Sequence, residues 1–203
     1  MRRMANFVVT GTGRCGTAHC WRVLTQMGVP AAHETFFALD RRSFDDHDAR
    51  AYEEYPTNDV ALMAAPFLQK LSVPSLHIVR DPVETVNSFL HLRLPMKSSH
   101  EITDFINYWI TLEGDSNEEL WVDYWEKWNH MCAAAATFTV RVEDLSAGAV
   151  SDAFLAPIIG ATGFGAMWQA LGTTPNRAHQ VSTTIVPPHL IDRLRRAGEA
   201  YGY

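Results

Sequence analysis

The sequence predicts a three-layer α/β/α domain with a central parallel sheet. Three observations lead there: short β-branched runs alternate with segments of helical spacing, a glycine-rich turn follows the first such run, and unusual polar residues fall at the ends of several predicted strands. Alternation of this kind sets parallel strands between helices on both faces. At 203 residues the chain fits a single domain, residues 1–203, able to bury roughly 70% of its unfolded surface.

The elements follow in order. Phe7 to Thr10 is a short buried strand that runs into glycines, and Thr17 to Met27 is a helix with Cys20, Leu24 and Met27 on one face and Gly28 as its stop. Val29 to His33 reads as a second strand. Residues 40–58 are polar and include Asp45-Asp46-His47-Asp48, so an exposed loop or a mobile lid is expected there. Leu62 to Leu71 is apolar and helical, and Ser75 to Val79 is another buried strand. Asp81 then stands at an N-cap, Pro82 at the first helical position and Glu84 where a capping box needs it, ahead of a buried face of Val83, Val86, Phe89 and Leu90. Ile102 to Ala136 is helical and tryptophan-rich with a break at residues 114–117. Thr137 to Val142 is a strand by alternation, closed by Glu143-Asp144-Leu145. Helices over Val150–Ile159, Ala166–Leu171 and Pro187–Ala200 complete the chain.

Composition narrows the function classes. A formal net charge of −6 argues against a protein that coats nucleic acid or an anionic membrane. No stretch approaches the roughly 18 apolar residues of a membrane span, and the apolar run after Met1-Arg2-Arg3 is interrupted by Thr10-Gly11-Thr12-Gly13-Arg14, unlike a leader peptide. Cys15, Cys20 and Cys132 form neither a disulfide framework nor a CxxC metal spacing, which favours a reducing compartment. A cytoplasmic protein with no nucleic-acid or membrane partner is expected. Trp121, Trp125 and Trp128 tempt a reading as a stacking platform, but their helical spacing favours core packing.

The chemistry centres on TGTGRCGTAHC, residues 10–20. Gly11 and Gly16 have the separation of a P-loop, GxxxxGK[ST], and give the domain a P-loop NTPase-like start, yet Thr17 and Ala18 stand where the lysine and the metal-binding hydroxyl belong. The amides of residues 13–18 and the helix N-terminus can still bind an anion, with Arg14 supplying positive charge. The alternative is a glycine-rich turn without a ligand, and the loop alone does not decide. Glu34, Arg80 and Glu143 join the loop at the carboxyl ends of predicted strands, where ligands of such sheets bind.

Three segments together resemble the sulfotransferases that use 3′-phosphoadenosine 5′-phosphosulfate. The strand followed by GTGRCGT and a helix resembles their 5′-phosphosulfate loop; Cys15 stands where serine is usual and Ala18 where a second threonine is common. LHIVRDPVETVNSFL resembles the 3′-phosphate segment, with Arg80 at the strand end and Ser88 eight residues later; on the residues alone, Arg80 pairing with Asp81 or Glu84 is the competing reading. GVPAAHETFF resembles the segment after the first helix in members, tyrosylprotein and bacterial ones among them, whose base is a glutamate; Glu34 matches it, and His33 is the competing base. VRVEDL at 140–145 resembles a late structural marker. Arg93 is a candidate second charge for the 3′-phosphate, and Asn176, Arg177 and His179 either cover the nucleotide or form a surface turn.

The resemblance implies metal-free sulfuryl transfer from 3′-phosphoadenosine 5′-phosphosulfate to a hydroxyl or amine acceptor, either a small molecule or a glycan or peptide. Glu34 and Arg14 are then the catalytic pair. Gly11, Gly13, Arg14, Cys15, Gly16, Thr17, Ala18, Arg80 and Ser88 bind the donor. The rival readings are a small magnesium-dependent P-loop kinase or NTPase, with Val79-Arg80-Asp81 as its second motif, and a non-catalytic nucleotide-binding protein on a degenerate loop.

Overall fold

A computed structural model describes residues 6–98, 100–172 and 184–203. Five short strands, β1 (Val8–Thr10), β2 (Ala31–His33), β3 (Asn58–Val60), β4 (Ser75–Val79) and β5 (Phe138–Arg141), make an all-parallel sheet in the order β2-β3-β1-β4-β5. The helices are α1 (Thr17–Gln26), α2 (Asp46–Glu53), α3 (Pro82–His91), α4 (Glu101–Trp109), α5 (Asn117–Ala135), α6 (Val142–Ala147), α7 (Asp152–Ile159), α8 (Phe164–Ala170) and α9 (Pro188–Gly198). Single 3-10 segments lie at Arg41–Ser43, Leu62–Lys70 and Glu199–Tyr201.

The two-residue alternation of the strands divides the core into two layers. Val9, Leu76, Ile78 and Val140 pack with α1, α6, α7 and α8, whereas Val8 and Val79 pack with α2, α3, α4, α5, α9 and the 62–70 segment. The expected three-layer α/β/α architecture is therefore what the chain adopts. Trp121, Trp125 and Trp128 are fully buried in the second layer, so the tryptophan-rich helix is core. Among the described residues no helix is long and apolar enough to cross a membrane.

The strand order sets where a ligand is received. From β1 the chain turns toward β2 on one side, and from β4 it turns toward β5 on the other, so the segments that follow β1 and β4 diverge above neighbouring strands. Such a divergence opens a crevice at the carboxyl edge. The glycine-rich loop leaves β1 there and Arg80 leaves β4.

Four local expectations are corrected. Residues 40–58 are not an open loop: Asp45 caps α2 by accepting from the His47 and Asp48 amides, Asp48 returns a bond to the Asp45 amide, and Phe44, Ala49 and Tyr52 are buried. The same stretch leads into β3, whose polar residues are buried because they are bonded; Asn58 Oδ1 accepts from the Asn6 and Phe7 amides at 2.8 and 3.1 Å. Residues 62–70 wind as a 3-10 helix around Pro66, which lacks the amide hydrogen an α-helix needs at that point. At α3, Asp81 does accept from the Glu84 amide, but Glu84 does not close the box, because its carboxylate is taken by Arg80 and the Asp81 amide donates to Glu143 instead. Glu143-Asp144-Leu145 does not merely close the last strand; it lies in the first turns of α6.

His77, in the middle of β4, is fully buried between Thr139 Oγ1 at 3.2 Å and Asn129 Oδ1 at 2.9 Å, and desolvation lowers its pKa to about 4 despite the Asn129 bond. The unfolded chain protonates this residue near pH 6.5 while the folded chain does not. Folding stability is therefore unaffected by His77 above that pH and falls as pH drops toward 4, by roughly 3 kcal/mol in all. Urea unfolding across pH 4–7 measures this, and His77→Gln is expected to remove that part of the slope.

Candidate functional site

The loop between β1 and α1 is shaped from below. Its carbonyls are captured one after another: Gly11 O accepts from Trp128 Nε1 at 3.2 Å, Thr12 O from the Tyr124 hydroxyl at 2.6 Å, Gly13 O from Thr12 Oγ1 at 3.0 Å and Arg14 O from Arg80 Nη1 at 3.2 Å. Among the described residues, no hydrogen bond uses the amides of Arg14, Cys15 or Gly16. The sequence suits this path. A Cβ at Gly11 would lie 2.6 Å from the Ile78 carbonyl, and Gly13 and Gly16 have φ of 72° and 99°, which glycine adopts without steric cost. Arg14, with φ 53°, follows the same left-handed path without that freedom.

Cys15 and Ala18 sit differently from one another. The Cys15 side chain is fully buried under the loop, and burial pushes its thiol pKa up against hydrogen bonds from the Thr17 backbone, the Thr12 side chain and the Gly13 and Thr12 backbone. Its sulfur is thus turned inward. Thr17 is buried at the first turn of α1, and Ala18 is exposed beside it.

Arg14, Arg80 and Ser88 meet at the carboxyl ends of the neighbouring strands β1 and β4. Arg14 Nε donates to Ser88 Oγ at 3.0 Å, and Arg80 donates to the Arg14 carbonyl with one nitrogen and to Glu84 Oε2 with two others, at 3.1 and 2.6 Å. Of the two sequence readings of Arg80, the pairing with Glu84 is present in the structure; Arg80 makes no hydrogen bond to Ser88 among the described residues and reaches the backbone of Arg14, whose side chain bonds Ser88. Arg14 is half-buried, and desolvation followed by the charge of Arg80 lowers its pKa. Among the described residues Arg14 has no carboxylate partner.

Glu34 lies just beyond β2, two strands from β1 and so about 10 Å from the base of the loop. It also has a left-handed backbone, φ 53°, and its amide donates to the Val60 carbonyl at 3.2 Å. Burial raises its carboxyl pKa; the neighbouring His33 opposes that shift and Asp59 adds to it. The His33 Nε2 atom is buried without a partner. Tyr124, whose phenol is raised chiefly by burial and then by Cys132, Cys15 and Glu34, stands within electrostatic reach of both the loop and Glu34.

Other expected residues are not drawn in. Arg93 is exposed at the end of α3 with φ 51°, its amide closing the helix on Leu90, and among the described residues it has no hydrogen bond to Arg14, Arg80 or Ser88. Glu143 is engaged structurally, accepting from the Asp81 amide at 3.1 Å and from the Tyr203 hydroxyl at 2.5 Å. Asn176, Arg177 and His179 lie outside the described residues. Two surface clefts, about 350 Å³ beside His19 and Leu171 and about 390 Å³ beside Trp125 and Tyr201, include none of the loop, Glu34, Arg80 or Ser88.

Sequence reasoning missed Tyr124, Trp128 and Asp59. The i,i+4 spacing of Tyr124 and Trp128 marks one helix face, and both carry hydrogen-bond donors that a purely apolar core does not need; that was the available signal. Tyr124→Phe leaves the Thr12 carbonyl buried without its donor. The expected result is a loss of about 1–3 kcal/mol of stability, with faster hydrogen exchange in the loop, read by thermal unfolding and amide exchange.

Comparison with protein-family models, curated proteins and solved structures finds no match for this chain. The functional reading rests on the loop, Glu34 and the Arg14–Arg80–Ser88 group themselves.

Proposed function

We propose that this protein transfers a sulfuryl group from 3′-phosphoadenosine 5′-phosphosulfate to a hydroxyl or amine acceptor, in the cytoplasm and without a metal. The observation that carries the reading is Arg14: the fold half-buries a guanidinium beside a second one, Arg80, and among the described residues its side chain bonds a neutral hydroxyl, Ser88, and no carboxylate. Two cations held against one carboxylate, over amides that no hydrogen bond among the described residues uses, favour a polyanion. The sulfotransferase-like motifs say which polyanion.

In the proposed reaction the residues act as follows. Glu34, whose carboxyl burial makes more basic, accepts the acceptor's proton as its oxygen or nitrogen bonds to sulfur. The bond between sulfur and the bridging 5′-phosphate oxygen breaks, leaving the transferred group on the acceptor and 3′-phosphoadenosine 5′-phosphate in the loop. Arg14 and the loop amides stabilise the negative charge that grows on that oxygen. Arg80 and Ser88 hold the 3′-phosphate, so that binding energy remote from sulfur positions the donor. The acceptor is a small molecule, or a glycan or peptide carrying the hydroxyl.

Isothermal calorimetry with 3′-phosphoadenosine 5′-phosphate and with ATP, each with and without magnesium, tests the reading. Preference for the 3′-phosphorylated nucleotide, indifferent to magnesium, is the expected outcome; magnesium-dependent ATP binding and hydrolysis would overturn it in favour of a kinase or NTPase. Arg80→Ala is expected to weaken that binding about tenfold or more, and Glu84→Gln to strengthen it by releasing Arg80. Glu34→Gln should lower transfer by about 10²–10⁴-fold while leaving product-nucleotide affinity unchanged, read by a radiolabelled-donor assay against an acceptor panel.

A further inference from the structure

We infer that Asp59 is the positioning residue for Glu34, holding the turn after β2 that carries the glutamate. The inference rests on Glu34 being the base of the proposed transfer. Three successive amides converge on this one side chain: Thr35 N donates to Asp59 Oδ1 at 3.2 Å, and Phe36 N and Phe37 N each donate to Oδ2 at 2.9 Å. Asp59 is fully buried in β3, between β2 and β1, and is fixed from behind. Its own amide donates to the Tyr52 hydroxyl at 2.9 Å, and that hydroxyl donates to the Phe7 carbonyl at 2.7 Å.

Residue 34 is consequently clamped on both sides by one strand. Its amide is held by the Val60 carbonyl, and the three amides after it are held by the Asp59 carboxylate. A non-glycine residue at φ 53° persists only where its surroundings over-determine it, and β3 supplies those surroundings. The acceptor must be a carboxylate. An ionised carboxylate presents lone pairs on both oxygens to three donors, whereas an asparagine turns an NH₂ group toward amides that cannot accept from it. Phe36 and Phe37 are buried, so no water replaces the lost acceptor.

Charge adds to position. The charges that act on the Glu34 carboxyl are those of His33 from β2 and Asp59 from β3, and Tyr124 from α5 lies within electrostatic reach of it. Of these Asp59 alone brings a negative charge that favours a proton on Glu34, in addition to the effect of burial. Burial pushes the Asp59 carboxyl upward too, and the amides of Phe37, Thr35 and Phe36 pull it back.

The test uses the full chain and Asp59→Asn. The Glu34 carboxyl is followed by ¹³C NMR titration, its resonance assigned with Glu34→Gln, and transfer is followed as kcat and donor KM across pH. The expected results are a lower Glu34 pKa, a matching downward shift of the acid limb of kcat/KM, and a fall in kcat of about tenfold to a hundredfold with donor KM little changed. A folded Asp59→Asn protein with the wild-type Glu34 titration and kcat overturns the inference. If that variant does not fold, the wild type decides: the Thr35, Phe36 and Phe37 amides bound to Asp59 are expected to be protected from hydrogen exchange, and free exchange at all three is equally contrary. Should the wild type transfer no sulfuryl group to any acceptor, the functional reading fails by itself, and the titration still reports whether Asp59 governs Glu34.

Discussion

The path of the loop after β1 depends on two donors rising from α5. Tyr124 and Trp128 take the carbonyls of Thr12 and Gly11, and Arg80 takes that of Arg14. A loop whose oxygens are bound beneath it presents its nitrogens elsewhere, because each peptide carries one of each in opposition. The direction of the loop's peptides is therefore set by the core. The same helix supplies the fully buried Trp121 and Trp125, so the aromatic bulk that gives the second layer its stability also sets the polarity of the loop.

Backbone strain is concentrated where chemistry is proposed. Among the described residues three non-glycine positions have positive φ: Arg14, Glu34 and Arg93. At Arg93 the strain ends a helix. At Arg14 and Glu34 it turns a charged side chain at the end of a strand, at opposite sides of β3 and β1, and each is fastened by neighbours rather than by its own preference. The sheet order makes the pair workable. With β3 interposed, the strand that leads to Glu34 and the strand that leads to the loop are about 10 Å apart.

Much of this was legible in the residues. The strand-to-loop-to-helix run at 7–27, the apolar strand at 75–79 and the capped start of α3 all obey local rules, and the structure follows them. What escaped depends on partners distant in sequence. Asn58 and Asp59 look like loop residues, and they occupy the sheet because Asn6, Phe7, Thr35, Phe36 and Phe37 satisfy them there. Hydropathy cannot register a buried carboxylate whose burial is compensated by amides elsewhere in the chain. The unclosed capping box has the same origin: Glu84 suits the box locally, but a guanidinium from the preceding strand end competes for it.

That last pairing changes the character of the site. With Arg80 already neutralised by Glu84, an incoming phosphate does not add an ion pair to the protein; it exchanges one for another. Only a group of higher charge density than a carboxylate gains by the exchange, and a singly charged ion gains little. Under the proposed function, Glu84 is thus the group that the donor's phosphate displaces from Arg80.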